Sequence, residues 1–161
     1  MQTSAKRNYW PETFGIILCL LIGLSGAIAT KSSDYAWYAS LNKPSFNPPD
    51  WIFGPVWTVL YILLGIVFGQ VWKIRREYPA LLAVFIVQLI FNALWSVIFF
   101  QYHEIAWALM DIIALWLSVS LLMMLLLKPA KTAGLLLIPY WCWVSFAVVL
   151  NAILLALAMA H

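Results

Sequence analysis

Long apolar stretches alternate with short polar breaks along this chain. A membrane-spanning helix needs about 20 mostly apolar residues, and five stretches qualify, at about 12–30, 50–73, 79–101, 105–127 and 132–159. Charged residues collect in the breaks, and only Asp111 lies well inside a predicted span. Because all connections but the first are short, consecutive spans are expected to be antiparallel. The pattern predicts an all-α integral membrane protein, a five-transmembrane-helix bundle forming a single domain over residues 1–161.

The first apolar stretch has a second interpretation. Lys6 and Arg7 precede it, and Ala27-Ile28-Ala29 near its end resembles the A-x-A site of a cleavable signal peptide. Cleavage there would leave four helices. The stretch is long for a signal sequence, which favours a retained helix.

Composition supports a membrane location. Hydrophobic residues make up 65% of the chain and charged residues 9%, with a mean hydropathy of +0.94. The basic residues lie at helix ends rather than on one surface, which argues against nucleic-acid binding. Seven of the nine Lys and Arg lie on the side of the N-terminus, and only Lys31 and Lys43 lie on the other. In a plasma or inner membrane this imbalance predicts a cytoplasmic N-terminus.

The cysteines and histidines predict neither a disulfide nor a metal site. Cys19 and Cys142 both lie in apolar stretches, and no Cys/His cluster has the spacing of a metal site. His103 lies in a short turn and His161 is the last residue. Either histidine could ligate a haem iron, but a lone histidine in a loop is more often simply solvated.

A structured loop is predicted between helices 1 and 2. Residues 37–61, WYASLNKPSFNPPDWIFGPVWTVLY, carry four prolines and many aromatic residues. Proline fixes its own φ and restricts the residue before it, so KPSFNPP is expected to hold one extended shape. A stiff loop that leads into an aromatic-rich helix predicts a lid over a pocket.

Each of the last four spans carries one face of aromatic and polar side chains at helical spacing. These faces consist of Phe53, Trp57 and Tyr61; Gln88, Asn92, Trp95 and Phe99; Trp107, Asp111 and Ser118; and Tyr140, Trp143, Ala147 and Asn151. Lipid tails offer no hydrogen-bond partner, so the polar members are expected to face inward. The faces are therefore predicted to meet around a tryptophan-walled cavity.

Packing is the alternative explanation for these faces. Tryptophans such as Trp107 also anchor helices at membrane interfaces, and buried amides also join helices. Asp111 is expected either to bridge to helix 3, through Asn92 or a tryptophan N–H, or to contact a ligand at the pocket floor. The small pairs Gly65/Gly69 and Gly23/Ala27 permit close helix contact, within the bundle or between protomers. Pro55 and Pro139 predict kinks.

Several ordered motifs resemble the TspO/translocator protein family, also called tryptophan-rich sensory or peripheral-type benzodiazepine receptor proteins. They are residues 37–61, Gln88-Leu-Ile-Phe-Asn92-Ala-Leu-Trp95, Trp107-Ala-Leu-Met-Asp111, and Pro139-Tyr140 with the Trp143, Phe146-Ala147 and Leu150-Asn151 that follow. The resemblance implies a five-helix bundle, usually a homodimer, that binds protoporphyrin IX, haem-like tetrapyrroles, sterols and synthetic isoquinoline or benzodiazepine ligands. The resemblance also implies that no cofactor is required and that the tetrapyrrole is a ligand. The ligand-binding residues implied by the motifs are Tyr38, Phe53, Trp57, Tyr61, Gln88, Asn92, Trp95, Trp107, Asp111, Trp143 and Ala147.

Three functions follow as hypotheses. The first is a membrane receptor or carrier for tetrapyrroles, with Lys43 or Lys31 near the mouth pairing with the propionates. The second is a light- and oxygen-dependent porphyrin-degrading enzyme, because the resemblance implicates tryptophans that match Trp57 and Trp143 as catalytic. The third is a proton-coupled transporter that uses Asp111. In contrast to the sterol-binding pattern of animal members, no Lys or Arg follows Tyr140.

Overall fold

Five helical segments of the protein are long and apolar enough to cross a membrane. The computed structural model describes residues 8–32 and 35–160, leaving aside the side chains of residues 29–32 and 35. Within that range the segments are Trp10–Ile28, Asp50–Ile74, Pro79–Gln101, Ile105–Leu126 and Lys131–Met159. The predicted all-α, five-helix fold class is confirmed. Expectations for Lys6, Arg7, the Lys31 side chain and His161 lie outside the described residues.

The elements follow one another closely. They are α1 (Trp10–Ser32), α2 (Tyr35–Ser40), α3 (Asp50–Ile74), α4 (Pro79–Ser96), α5 (Ile105–Leu126), α6 (Lys131–Leu136) and α7 (Ile138–Met159). A π-helical segment, Val97–Gln101, continues α4. Pro79 begins α4, where a missing N–H costs nothing because the first helical N–H groups have no partner within the helix. Helix α2 lies in the first connection, so the loop that was predicted to be structured contains a helical turn.

Pro139 accompanies a break in the fifth span. The helix ends at Leu136 and resumes at Ile138, and the N–H of Leu137 bonds to the carbonyl of Gly134 at 3.3 Å. Proline has no N–H for the carbonyl four residues earlier, which loosens this turn. By contrast, α3 continues through Pro55 to Ile74 without interruption.

Glycines bring α1 and α3 into close backbone contact. A Cβ on Gly65 would lie 2.3 Å from the backbone nitrogen of Ile16, and one on Gly69 would lie 2.5 Å from Cγ of Glu12. On the other helix, a Cβ on Gly15 would meet the carbonyl oxygen of Gly65 at 2.5 Å. The Gly65/Gly69 pair therefore serves packing inside the bundle, which decides one of the two alternatives left open by the sequence.

The helices form a ring that is incomplete on one side. Helix α1 packs on α3 and on α4, α4 packs on α5, and α5 packs on α7. Helix α3 approaches α6 at the end opposite the α2 loop, whereas α3 and α7 make no comparably close backbone approach within the described chain. Toward the end of the bundle that carries the α2 loop, side chains rather than close backbone contacts therefore fill the space between α3 and α7.

Candidate ligand-binding cavity

A cavity of about 740 Å³ occupies the loop end of the bundle. Residues of α1, α3, α4 with its π-helical extension, and α7 form its walls, and Tyr38 of α2 lies at its mouth. Seven of the eleven predicted ligand-binding residues line it: Tyr38, Phe53, Trp57, Tyr61, Trp95, Trp143 and Ala147. The amphipathic faces of α3, α4 and α7 thus meet around one space.

Aromatic rings form the α3–α7 side of this cavity. Trp143 of α7 stands edge-on to Phe53, with ring centroids 5.8 Å apart, and perpendicular to Trp57 at 6.5 Å. Trp57 stacks on Tyr61 at 5.5 Å. These separations lie in the range in which aromatic pairs attract one another. The walls therefore present several ring faces and edges to a ligand.

The other four predicted residues do not line the cavity. Gln88 and Asn92 are buried, with 0% and 3% of their surface exposed, and they take part in hydrogen bonds beneath the cavity. Trp107 is 61% exposed, as expected of a residue that faces lipid or the interface. Asp111 is buried on α5, away from the lining residues. Their assignment to ligand contact remains a prediction that this geometry does not favour.

A buried hydrogen-bond chain joins α3, α4 and α7 under the cavity. The hydroxyl of Tyr61 donates to Oδ1 of Asn92 at 2.6 Å, and Nδ2 of Asn92 donates to the hydroxyl of Tyr140 at 3.0 Å. That hydroxyl in turn donates to Oε1 of Gln88 at 3.0 Å. Because Tyr61 also lines the cavity, the chain holds one wall of the cavity in position.

Replacing Asn92 by leucine is expected to lower the thermal stability, because the Tyr61 hydroxyl would lose its acceptor in a buried site. The expected loss is about 1–3 kcal/mol. Tyr61→Phe in the Asn92→Leu background removes the unpaired hydroxyl and should restore part of the loss. Thermal unfolding in detergent, followed by tryptophan fluorescence, measures both steps. Equal melting temperatures for wild type and Asn92→Leu would contradict the importance of this hydrogen bond.

Asp111 does not make the bridge expected from the sequence. Its Oδ2 atom is buried without a hydrogen-bond partner among the described residues. Both polar atoms of the Asn92 amide bond to tyrosines instead, and the indole N–H of Trp95 donates to Oδ1 of Asn151 at 3.1 Å. Asn151 then donates to the carbonyl of Ile105 at 3.0 Å and so connects α4, α5 and α7.

Two tryptophan–serine bonds that were not predicted join α5 to α7. The indole of Trp116 donates to Oγ of Ser145, and the indole of Trp141 donates to Oγ of Ser120, both at 2.8 Å. Ser118, which was placed on the polar face of this span, instead bonds to the carbonyl of Leu115 in its own helix. Within this pair of helices, these tryptophans serve packing.

The loop closes over the cavity mouth through Tyr38. Its ring packs edge-on to Phe99 and Phe100, and its hydroxyl lies 3.3 Å from Oδ1 of Asn47. Burial raises the pKa of this hydroxyl. The ammonium of Lys43 lies 4.3 Å from the centre of the Tyr38 ring, a cation–π contact. A basic group is thereby held beside a residue that lines the cavity.

The proline segment is not extended throughout, contrary to the expectation from its prolines, because Ser45 and Phe46 form a turn. The N–H of Asn47 bonds to the carbonyl of Pro44 at 3.0 Å, and its side-chain amide bonds to the carbonyl of Pro48 at 3.0 Å. Phe46 reaches α7, where its ring lies 6.4 Å from that of Phe146. Through Phe46 the segment therefore contacts a residue of α7 that lines the cavity, and its role as a lid stays a prediction.

His103 is not simply solvated, contrary to the expectation for a lone loop histidine. It adopts a positive φ of 58°, and its ring stacks on Trp37 with centroids 4.1 Å apart. The tight turn between the π-helical segment and α5 carries it toward α2. In the described part of the chain, no group of three or more metal-binding side chains comes together.

Sequence reasoning missed the α1 wall and several α4 and α7 residues. The additional lining residues include Gly23, Gly26, Ala27, Asp50, Gly54, Phe100, Phe146 and Leu150. A Cβ on Gly23 would lie 2.3 Å from the Tyr61 ring, so the small residue makes room for this tyrosine. The Gly23/Ala27 pair was the available clue, although it indicated only close helix contact.

Comparison with known proteins identifies the family. The model of the TspO/MBR family matches residues 15–157. The chain belongs to the TspO/MBR family. It is 42% identical over 144 residues to the tryptophan-rich protein TspO of Chlorobaculum tepidum, covering 87% of this chain and 90% of that protein. It is 38% identical over 115 residues to a tryptophan-rich sensory protein of Cereibacter sphaeroides, covering 71% and 72%, respectively.

Animal relatives are similar over a comparable length. The translocator protein of Bos taurus is 33% identical over 147 residues, which is 88% of this chain and 87% of that protein. The TspO/MBR match begins at Gly15 of α1 and ends near the end of α7, so it includes every wall of the cavity. The chain is therefore a multi-pass membrane protein of this family.

Proposed function

We propose that this TspO/MBR-family protein is a membrane receptor or carrier that binds tetrapyrroles, such as protoporphyrin IX or haem, and other amphipathic aromatic ligands. The observation that carries the proposal is the cavity of about 740 Å³ with ring-bearing walls on three helices. Ligand pockets typically measure about 300–1,000 Å³ and are lined mostly by apolar and aromatic side chains. A flat macrocycle matches such walls through stacking and edge contacts.

The mouth suits the acidic edge of such a ligand. Lys43 is held against Tyr38 and supplies a positive charge where propionates would emerge. Asp50 also lines this end of the cavity and supplies the opposite charge. Their placement favours a ligand that enters with its apolar disc first and leaves its carboxylates near Lys43.

Replacing both Trp57 and Trp143 by alanine is expected to weaken protoporphyrin IX binding by about tenfold or more, because two aromatic contacts are lost. The titration follows quenching of the remaining tryptophans in detergent, since the chain has ten. Trp107→Ala is the matched control: it also removes an indole, but from an exposed position outside the cavity. Wild-type affinity in the double variant would place the binding site elsewhere.

Light-dependent porphyrin degradation is the second candidate function. One observation favours it: Trp57 and Trp143 face the same cavity with ring centroids 6.5 Å apart, within reach of any ligand there. Illumination with protoporphyrin IX under air tests it. Repeated turnover into one defined product supports an enzyme, whereas loss of tryptophan fluorescence without turnover indicates photodamage. Proton-coupled transport gains no such support, because Asp111 does not line the cavity.

We also propose that the N-terminus is cytoplasmic and that the protein is a homodimer. Lys73, Arg75, Arg76, Lys128 and Lys131 lie at the end of the bundle opposite the α2 loop. This excess of basic residues near the helix ends predicts that this end faces the cytoplasm. Protease access to the α2 loop in oriented vesicles tests the orientation, and sedimentation in detergent tests the dimer.

A further inference from the structure

A second depression lies outside the cavity, on the outer surface between α3 and α7. It has a volume of about 520 Å³, and its lining includes Pro55, Val59, Pro139, Cys142, Trp143 and Phe146. Apart from the Cys142 thiol and the Trp143 indole, the lining side chains are hydrocarbon. We call this depression the α3–α7 groove.

The groove and the cavity share two residues. Trp143 and Phe146 line both spaces, so their rings form part of the partition between them. Their ring centroids are 5.6 Å apart, and Phe53 and Trp57 pack against Trp143 from α3. Within the described residues, the backbones of α3 and α7 approach each other less closely than those of the neighbouring helix pairs, so side chains form most of this partition. Rotation of these side chains is therefore the simplest way to connect the two spaces.

The groove lies on the surface that the surrounding bilayer covers. Val59 is 57% exposed and Cys142 is also exposed, and both belong to spanning helices. An acyl chain is the ligand whose chemistry matches a hydrocarbon-lined groove on such a surface, since a head group would find no charged partner there.

We propose that the α3–α7 groove binds one acyl chain of a bilayer lipid and is the lateral entrance to the cavity, with Trp143 and Phe146 as its gate. The proposal that the groove binds lipid is supported by its shape and its lining alone. The entrance rests on the proposed function, because it requires a ligand that occupies the cavity. In this arrangement an apolar ligand dissolved in the bilayer displaces the acyl chain and passes between the two rings.

Val59→Trp tests lipid binding, because the larger side chain fills the groove from a position that does not itself line the cavity. Val149→Trp is the matched control: Val149 is 51% exposed on α7, two helical turns from Cys142, and lines neither space. Native mass spectrometry in mild detergent with added phosphatidylcholine measures lipid occupancy. One bound lipid is expected on wild type and on Val149→Trp, with at least about fivefold lower occupancy on Val59→Trp. Equal occupancy of the two variants overturns the lipid site.

A second copy of the chain is the competing occupant, and Cys142 distinguishes it. Cys19 is buried, so mild oxidation or a short bifunctional maleimide acts on Cys142. Lipid occupancy predicts little cross-linked dimer through Cys142. Efficient cross-linking that Val59→Trp abolishes would assign the groove to a neighbouring protomer and overturn the lipid proposal.

Stopped-flow mixing with protoporphyrin IX in nanodiscs tests the entrance. Blocking an entrance slows ligand entry and ligand exit equally. Val59→Trp is therefore expected to lower the association and dissociation rate constants by a similar factor, at least about fivefold, with Kd unchanged. Val149→Trp should follow wild type. Unchanged rates in Val59→Trp overturn the entrance but leave ligand binding intact. Absence of any binding to wild type overturns the proposed function and the entrance together, while the lipid measurement still decides the groove.

Discussion

Gly54→Leu is expected to abolish ligand binding while preserving the fold. Gly54 lines the cavity in the first turns of α3, and a Cβ placed on it would meet no atom within 4 Å. We therefore expect a leucine side chain at this lining position to take space that a macrocycle needs. Loss of glycine from a helix is also favourable by up to about 1 kcal/mol. We expect affinity for protoporphyrin IX to fall by about 100-fold or more, which corresponds to roughly 3 kcal/mol.

Paired titration and unfolding measurements check this prediction. Ala156→Leu introduces the same side chain at an exposed position on α7, outside the cavity, and should retain wild-type affinity. Gly54→Ala should weaken binding less than Gly54→Leu, because it occupies less space. An unchanged affinity in Gly54→Leu, together with a wild-type melting temperature, would mean that ligands do not bind in this cavity.

The spans were predictable because a helix in lipid must be long and apolar. The predicted boundaries of the second and third spans, 50–73 and 79–101, agree closely with Asp50–Ile74 and Pro79–Gln101. The π-helical segment at the end of α4 was not predictable, because no residue in Val97–Gln101 has a property that demands it. Proline at position 139 predicted a kink, but the interruption of the helix itself lies two residues earlier, at Leu137.

The direction of each helical face was harder to predict than the helix itself. On α3, the spacing of Phe53, Trp57 and Tyr61 indicated the cavity side correctly. On α5, the same reasoning failed, because Trp107 points outward while Asp111 is buried. A helix that is apolar on every side has little amphipathic contrast to define its rotation. Tryptophan is ambiguous in this setting, since lipid interfaces and aromatic cavities both favour it.

The contribution of small residues to the cavity was also difficult to predict from the sequence. Gly23 and Ala27 line the cavity because they are small and leave room for it. No pattern of residue types in the sequence marks such room. Polar residues gave better guidance, because burial without hydrogen bonds is costly in lipid. Gln88, Asn92 and Asn151 are buried, as expected, but their partners could not be assigned without the distances across helices.

Gly65→Ala is expected to destabilise the bundle strongly, in contrast to Gly54→Ala on the same helix. At Gly65 the added Cβ would lie 2.3 Å from both the nitrogen and the Cα of Ile16, which are backbone atoms that no rotamer change can move away. Overpacking of this kind costs about 1–3 kcal/mol, or a fall in melting temperature of roughly 2–12 °C for a chain of this size.

The comparison of the two alanine variants isolates the cause, because both make the same chemical change in α3. Gly54→Ala has no neighbour to displace and should melt at or slightly above the wild-type temperature. Thermal unfolding and oligomeric state are measured on the same samples. If Gly65→Ala melts like wild type, the close approach of Gly65 to Ile16 does not limit the packing of α1 on α3. A lowered melting temperature with an unchanged oligomeric state instead assigns the pair to the α1–α3 contact, where it holds the first helix against the cavity.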